Sequence, residues 1–141
     1  MEQLLEFAGN HTLLLVAFFI VLSALLWNIV SDPSGKNAVD PLGATAMINH
    51  EDAVILDVRS MAEFKDGHIV NAVNIPLNGL GNSIKQLEKY RDRPIVAVCR
   101  SGSRSGAACS QLRKAGFENV KNLRGGMLAW ENANLPVKKR R

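Results

Sequence analysis

Apolar positions along the chain fall into one long run and several short ones. TLLLVAFFIVLSALLWNIV (12–30) carries no formal charge over 19 residues and is interrupted only by Ser23 and Asn28. As a helix it would reach about 28 Å, close to the hydrocarbon thickness of a bilayer. Beyond it, VILDV (54–58), AVNIP (72–76), PIVAV (94–98) and NVKNL (119–123) predict short strands, with 54–58 and 94–98 reading as buried on both faces. Helices are predicted between them. One starts at an Asp40 N-cap with Pro41 at the first helical position, and SMAEFKDG (60–67) stops at Gly67. GLGNSIKQLEKY (79–90) shows the i, i+4, i+7 spacing of Leu80, Ile84 and Leu87. SRSGAACSQLRKAGF (103–117) runs to a Gly116 cap, and GGMLAWENA (125–133) is the last helix. Strands alternating with helices imply an α/β domain whose parallel sheet is covered on both faces.

The long run reads as an uncleaved, single-pass transmembrane helix inserted in a lipid bilayer. Residues 1–11 are then a short tail, 31–38 (SDPSGKNA) a flexible linker, 39–136 one domain and 137–141 a basic tail. A cleaved signal peptide would bring a basic leading region and a small-residue cleavage site. Here Glu2 and Glu6 precede the run without any Lys or Arg, and NIVSDPSG offers no such site. Trp27 suits an interfacial aromatic. Every Lys and Arg follows the span, with Lys36 nearest, so the positive-inside tendency places the domain in the cytoplasm. A free reactive thiol, argued below, persists best in such a reducing compartment. The remaining length suffices for a single core.

Charge narrows the partners. Lys and Arg number 17 against 13 Asp and Glu, a net +4. Setting Glu2 and Glu6 aside leaves 17 basic and 11 acidic residues after the span. That mild excess suits anionic small molecules or headgroups; the dense basic stripe with interleaved aromatics of a nucleic-acid surface is missing. KKRR (138–141) reads as a solvated end, with a weak membrane-surface contact as its functional alternative. The two cysteines form no CxxC, and with three histidines they exclude a structural zinc site or a disulfide framework. If 104–115 is helical, Cys109 lies more than a turn along it, too far to bridge Cys99 comfortably.

The candidate chemistry sits in CRSGSR (99–104), directly after the apolar run PIVAV. In a parallel α/β sheet, ligands bind beyond the carboxyl ends of strands, where the next helix begins. If residues 100–104 curl over the Cys99 sulfur, their amides form an anion-binding nest, to which the helix N-terminus, Arg100 and Arg104 add positive charge. Each of these favours thiolate, the nucleophilic form, over thiol. Gly102 frees the tight turn, and Ser101 and Ser103 are small enough to leave the mouth open. A Cys-(x)5-Arg phosphatase or arsenate reductase loop would need arginine where Ser105 stands, so the ring is one residue short of a phosphate cradle.

CRSGSRS, preceded by VILDVRSMAEFKDGHIVNAVNIP and followed by NLRGGMLAW, resembles a single-domain rhodanese, a sulfurtransferase family, over residues 39–136. The leading span further resembles membrane-anchored bacterial rhodaneses of the YibN-like group. The resemblance implies a three-layer rhodanese-like fold around a parallel five-stranded sheet. It implies a persulfide mechanism in which Cys99 takes a sulfane sulfur from a small anionic donor such as thiosulfate and hands it to a thiol, protein-cysteine or cyanide acceptor. The backbone of Arg100, Ser101, Gly102, Ser103 and Arg104 would form the cradle, with Arg100 and Arg104 steering the donor; no metal or organic cofactor is implied. Asp57 and Arg59 would buttress the active-site side of the sheet, and Arg59 could pair with Glu63. His68 is read as part of a structural turn, Cys109 as a small core residue, and Gly125, Gly126 and Trp130 as packing the last helix near the loop. The rival reading is a rhodanese-like interaction module, held beside membrane proteins, with little catalysis.

Overall fold

The computed structural model describes residues 3, 7, 9–30 and 34–140. It divides into two units, Met1–Pro33 and Ser34–Arg141. In the first, α1 (Thr12–Val30) is a helix with apolar side chains exposed on every side, among them Leu13, Phe18, Phe19, Ile20 and Trp27. Among the described residues no helix is long and apolar enough to cross a membrane; the side chains of 28–30 lie outside that description. The helix expected over 12–30 is therefore present, while the membrane crossing expected of it has no support in the structure.

The second unit opens with α2 (Ser34–Asn37) and β1 (Ala38–Val39), which correct the flexible linker expected over 31–38; residues 31–33 lie outside the described ones. Then follow α3 (Pro41–Glu51), β2 (Val54–Asp57), α4 (Met61–Asp66), β3 (His68–Ile69), β4 (Val73–Asn74), α5 (Leu80–Leu87), β5 (Ile95–Val98), α6 (Ser103–Lys114), β6 (Val120–Leu123), α7 (Gly126–Asn132) and β7 (Val137–Lys138). Local chemistry sets the ends. Asp40 caps α3 by accepting from the Gly43 amide at 2.9 Å. Ser60 and Glu63 close a reciprocal capping box on α4, and Gly116, at φ +94°, ends the turn after α6.

Five strands form a parallel sheet in the order β1-β6-β5-β2-β4, as the resemblance implied. Alternation along β2 and β5 sends Leu56, Ile95 and Ala97 to one face, under α5 and α6, where Leu80, Leu87 and Leu112 cover them. Ile55, Val96 and Val98 point to the other face, against Ala44 of α3 and Met127 and Trp130 of α7. The register pairs Asp57 with Val98 and with Asn74, and Ala97 with Asn122. The carboxyl ends of the central strands are therefore level, and whatever follows them meets at one edge.

A second, antiparallel pair was not expected: β7 lies on β3, with His68 opposite Lys138, and the Arg140 amide donates to the Lys65 carbonyl at 3.1 Å. The basic end thus begins as a paired strand, where the sequence reading placed a solvated tail from 137. Two-residue strands leave no periodicity to read, so only the tertiary pairing defines them.

At the active edge Asp57, fully buried, holds Arg59 through both carboxylate oxygens, Nη2 to Oδ2 at 2.7 Å and Nε to Oδ1 at 3.0 Å. Arg59 Nη2 also donates to the Gly67 carbonyl at 2.7 Å, so the guanidinium ties β2 to the end of α4. Arg59 pairs here and not with Glu63. Removing one member of a buried pair strands the other, so Asp57→Ala should lower unfolding stability by about 3–5 kcal/mol, measured by denaturant melts against the native chain.

Candidate active site

Cys99 is the first residue after β5, and its side chain is 1% exposed. The Gly102 amide donates to its sulfur at 3.0 Å, and the Ser105 hydroxyl lies 3.3 Å away. Gly102, at φ +106°, makes the turn that aims its amide inward, and α6 starts immediately after it. The collar expected over 100–104 is present, but its mouth is narrower than the small serines implied.

The Ser105 hydroxyl has a single proton and two neighbours to serve. It donates to Asn122 Oδ1 at 2.6 Å, while Asn122 Nδ2 donates to the Gly102 carbonyl at 3.0 Å. With a neutral thiol the proton suits Asn122; as the sulfur ionises, donation to sulfur becomes the stronger bond, because hydrogen bonds to charged groups are worth roughly twice neutral ones. Burial alone would push the Cys99 thiol up. The Ser105 hydroxyl and the amides of Ser105, Gly102 and Ser101 outweigh it, leaving the thiol below its ordinary value. Cys109 supplies the contrast: buried without such donors, it is pushed up to about 11. Both cysteines are free.

The loop is held from beneath by α7. The Met127 amide donates to the Cys99 carbonyl at 2.8 Å, and the Leu128 amide to the Arg100 carbonyl at 3.2 Å. Gly126, at φ +56°, passes so close that an added Cβ would collide with the Cys99 carbonyl oxygen and come within 2.6 Å of that of Arg100. That close approach is what the glycine pair in LRGG provides.

The arginines differ from expectation. Arg104 is bound in bidentate fashion by Glu63, 2.9 Å on each side. That pairing, with the Ser60 bonds, overcomes burial and holds the Glu63 carboxyl down at about 2. Arg100 borders a cleft of about 170 Å³ shared with Glu63, Asp66 and Glu131. Each cation assigned to donor steering thus has carboxylates for neighbours. His68 behaves as a structural residue, its Nδ1 2.7 Å from the Phe64 carbonyl and its ring stacked on Phe64 at 3.8 Å.

Sequence reasoning missed Ser105, Asn122 and Glu63 as parts of the site. Ser105 was visible as the position where the phosphatase pattern wants arginine, and Glu63 as the acid of a capping box. Asn122, a lone polar residue in a short strand, carried no signal before the register of β6 against β5 was known.

Similarity to known proteins points the same way. The family model described as a rhodanese-like domain matches residues 41–133. The uncharacterized protein YibN of Escherichia coli K12 is 35% identical over 139 residues, covering 97% of each chain. A protein named sulfurtransferase from Allochromatium vinosum is 40% identical over 87 residues, 62% of this chain and 79% of that one. The crystal structure of a rhodanese-related protein from Thermoplasma volcanium superposes with a TM-score of 0.66 at 31% identity, over 72% of this chain and 97% of the other.

The electrostatic asymmetry of the two cysteines is directly measurable. Iodoacetamide titrated against pH should label Cys99 with a midpoint below that of a free thiol and leave Cys109 silent at neutral pH. Ser105→Ala, losing a charge-assisted hydrogen bond, should move the Cys99 midpoint up by about one pH unit.

Proposed function

The chain belongs to the rhodanese-like domain family, and on that premise we propose that it is a sulfurtransferase carrying a sulfane sulfur as a persulfide on Cys99. The observation that carries this reading is the convergence of the Gly102 amide and the Ser105 hydroxyl on a sulfur whose thiol is lowered despite burial. Such a sulfur is anionic at a cost the protein has already offset, and the same donors suit an anion carried one atom further out.

In the forward half-reaction the Cys99 thiolate attacks the outer sulfur of thiosulfate. A sulfur–sulfur bond forms to Cys99, the bond to the sulfonyl sulfur breaks, and sulfite leaves with the electron pair. The persulfide's terminal sulfur then rests among the amides of Arg100 to Arg104 and the Ser105 hydroxyl. An acceptor thiolate, or cyanide, attacks that terminal sulfur and returns the electron pair to Cys99. No external oxidant or reductant enters. Ser105 standing where a phosphatase loop has arginine, and Arg104 already spent on Glu63, both favour this chemistry over phosphate-ester hydrolysis.

The reading places the enzyme at a bilayer. The apolar run 12–30, polar on no side, is the kind of helix that is stable when lipid surrounds it. With all basic residues beyond it, the domain would face the cytoplasm, anchored in the inner membrane of a bacterial cell.

Incubation of the reduced protein with thiosulfate should add one sulfur by intact mass, an increment absent from Cys99→Ala and retained in Cys109→Ala. A protein that takes no sulfur although Cys99 is reduced and alkylatable contradicts the assignment. Independently, the full chain should sediment with membranes and resist carbonate extraction, and removal of residues 1–30 should release it; extraction of the full chain by carbonate would rule out a span.

A further inference from the structure

Beside the thiol lies a cavity of about 450 Å³, walled by Val58, Met61, Pro76, Leu77 and Arg104. It belongs to the same sheet edge: the Val58 amide donates to the carbonyl of Val98, the residue before Cys99, at 3.0 Å. Arg104 belongs to both, because its charge interacts with the Cys99 sulfur. A cavity of this size falls among those that hold organic groups, and it exceeds the needs of thiosulfate or cyanide. Its wall is largely hydrocarbon. Its cation is Arg104, which Glu63 already holds on both sides, so an anionic guest gains no free charge there.

Apolar exposure concentrates at the same place. From residue 34 onward, the large hydrophobic side chains exposed among the described residues are Leu42, Met61, Val70 and Leu128. Two of these four border the Cys99 loop. Met61, 49% exposed, forms cavity wall, and Leu128, 46% exposed, follows the amide that holds the Arg100 carbonyl. Scattered apolar side chains need no explanation, but a cavity with apolar residues around a reactive sulfur does.

We infer that the sulfur acceptor is a protein cysteine flanked by a large apolar residue, whose side chain enters this cavity while its thiolate reaches the persulfide. The inference rests on the persulfide reading above. The acceptor thiol loses its proton to solvent, and its sulfur forms a bond to the terminal sulfur of the persulfide. The Cys99 sulfur–sulfur bond breaks, and the electron pair returns to the Cys99 thiolate, where the Gly102 amide and Ser105 hydroxyl receive it. A membrane-associated or membrane-inserting partner would offer such a cysteine, but the cavity specifies only the apolar flank. Apolar surface extends past the cavity to Met61 and Leu128, which suits a peptide segment better than a compact small thiol.

The test uses the full chain, loaded from thiosulfate and freed of excess donor. Single-turnover transfer is timed to a short peptide with cysteine between leucines, to the same peptide with aspartates in place of the leucines, to a small alkanethiol, and to cyanide. The leucine peptide should accept sulfur about tenfold faster than the aspartate peptide, the factor expected from burying one large apolar side chain. Leu77→Asp should bring the two peptides to within about threefold, taken relative to the cyanide rate of the same preparation. Met61→Gln, at a more exposed position, should narrow the gap in the same direction and guards against a folding defect in the first variant. Equal peptide rates, a preference for aspartate, a preference that survives both variants, or an alkanethiol matching the leucine peptide would each overturn the inference. If no persulfide forms, the sulfurtransferase reading itself fails; if it forms and cyanide drains it while the peptides are indistinguishable, only the acceptor inference fails.

Discussion

Two backbone hydrogen bonds from the start of α7, one to the Cys99 carbonyl and one to the Arg100 carbonyl, organise the rest of the site. With those oxygens drawn outward, the loop that follows is free to turn its amides toward the sulfur. Convergent amides repel one another and are unfavourable without an anion between them, so the arrangement needs an external clamp or a resident charge. Here it has both. The clamp requires α7 to approach within reach of the Cys99 peptide, which only a residue without Cβ at position 126 permits. The thiolate is then the anion that the amides were set to receive.

Around this centre the formal charges cancel in pairs. Asp57 neutralises Arg59 beneath the loop, and Glu63 neutralises Arg104 beside it. The result is a site where fixed dipoles, rather than free cations, stabilise the sulfur. Dipoles of this kind lose no energy to reorganisation when charge moves one atom outward, as it does when a thiolate becomes a persulfide. Free guanidinium groups would instead draw in bulk anions and compete with the sulfur for its own donors. The contrast with Cys109, a few turns away in the same core and driven toward its neutral form, shows that donors and not burial decide reactivity.

A consequence of paired charges is that the neighbouring cavity is nearly neutral and hydrocarbon-lined, although the chain as a whole is basic. Net charge therefore says little about what meets the sulfur. The excess of Lys and Arg lies elsewhere, part of it on the β7 end, where Lys138 and Arg140 join the main fold through β3 and Lys65.

By itself the sequence determined the apolar run over 12–30, the alternation of strands and helices, the α3 and α4 caps, and Cys99 at a strand end with a small, glycine-containing loop after it. These are local facts: periodicity, capping and turn chemistry act over a few residues, so they can be read in order along the chain. It even placed Gly125 and Gly126 near the loop through the family resemblance. What it could not supply were the partners that come from distant segments. Asn122 reaches Ser105 only because β6 lies beside β5, Glu63 finds Arg104 only because α4 and α6 meet at the same sheet edge, and the two-residue strands β1, β3 and β7 exist only through their pairing. Side chains that look equivalent in sequence, such as the two cysteines or Arg59 and Arg104, were given different roles by which dipoles and carboxylates the fold set against them, because electrostatic energy depends on distance through space and not along the chain.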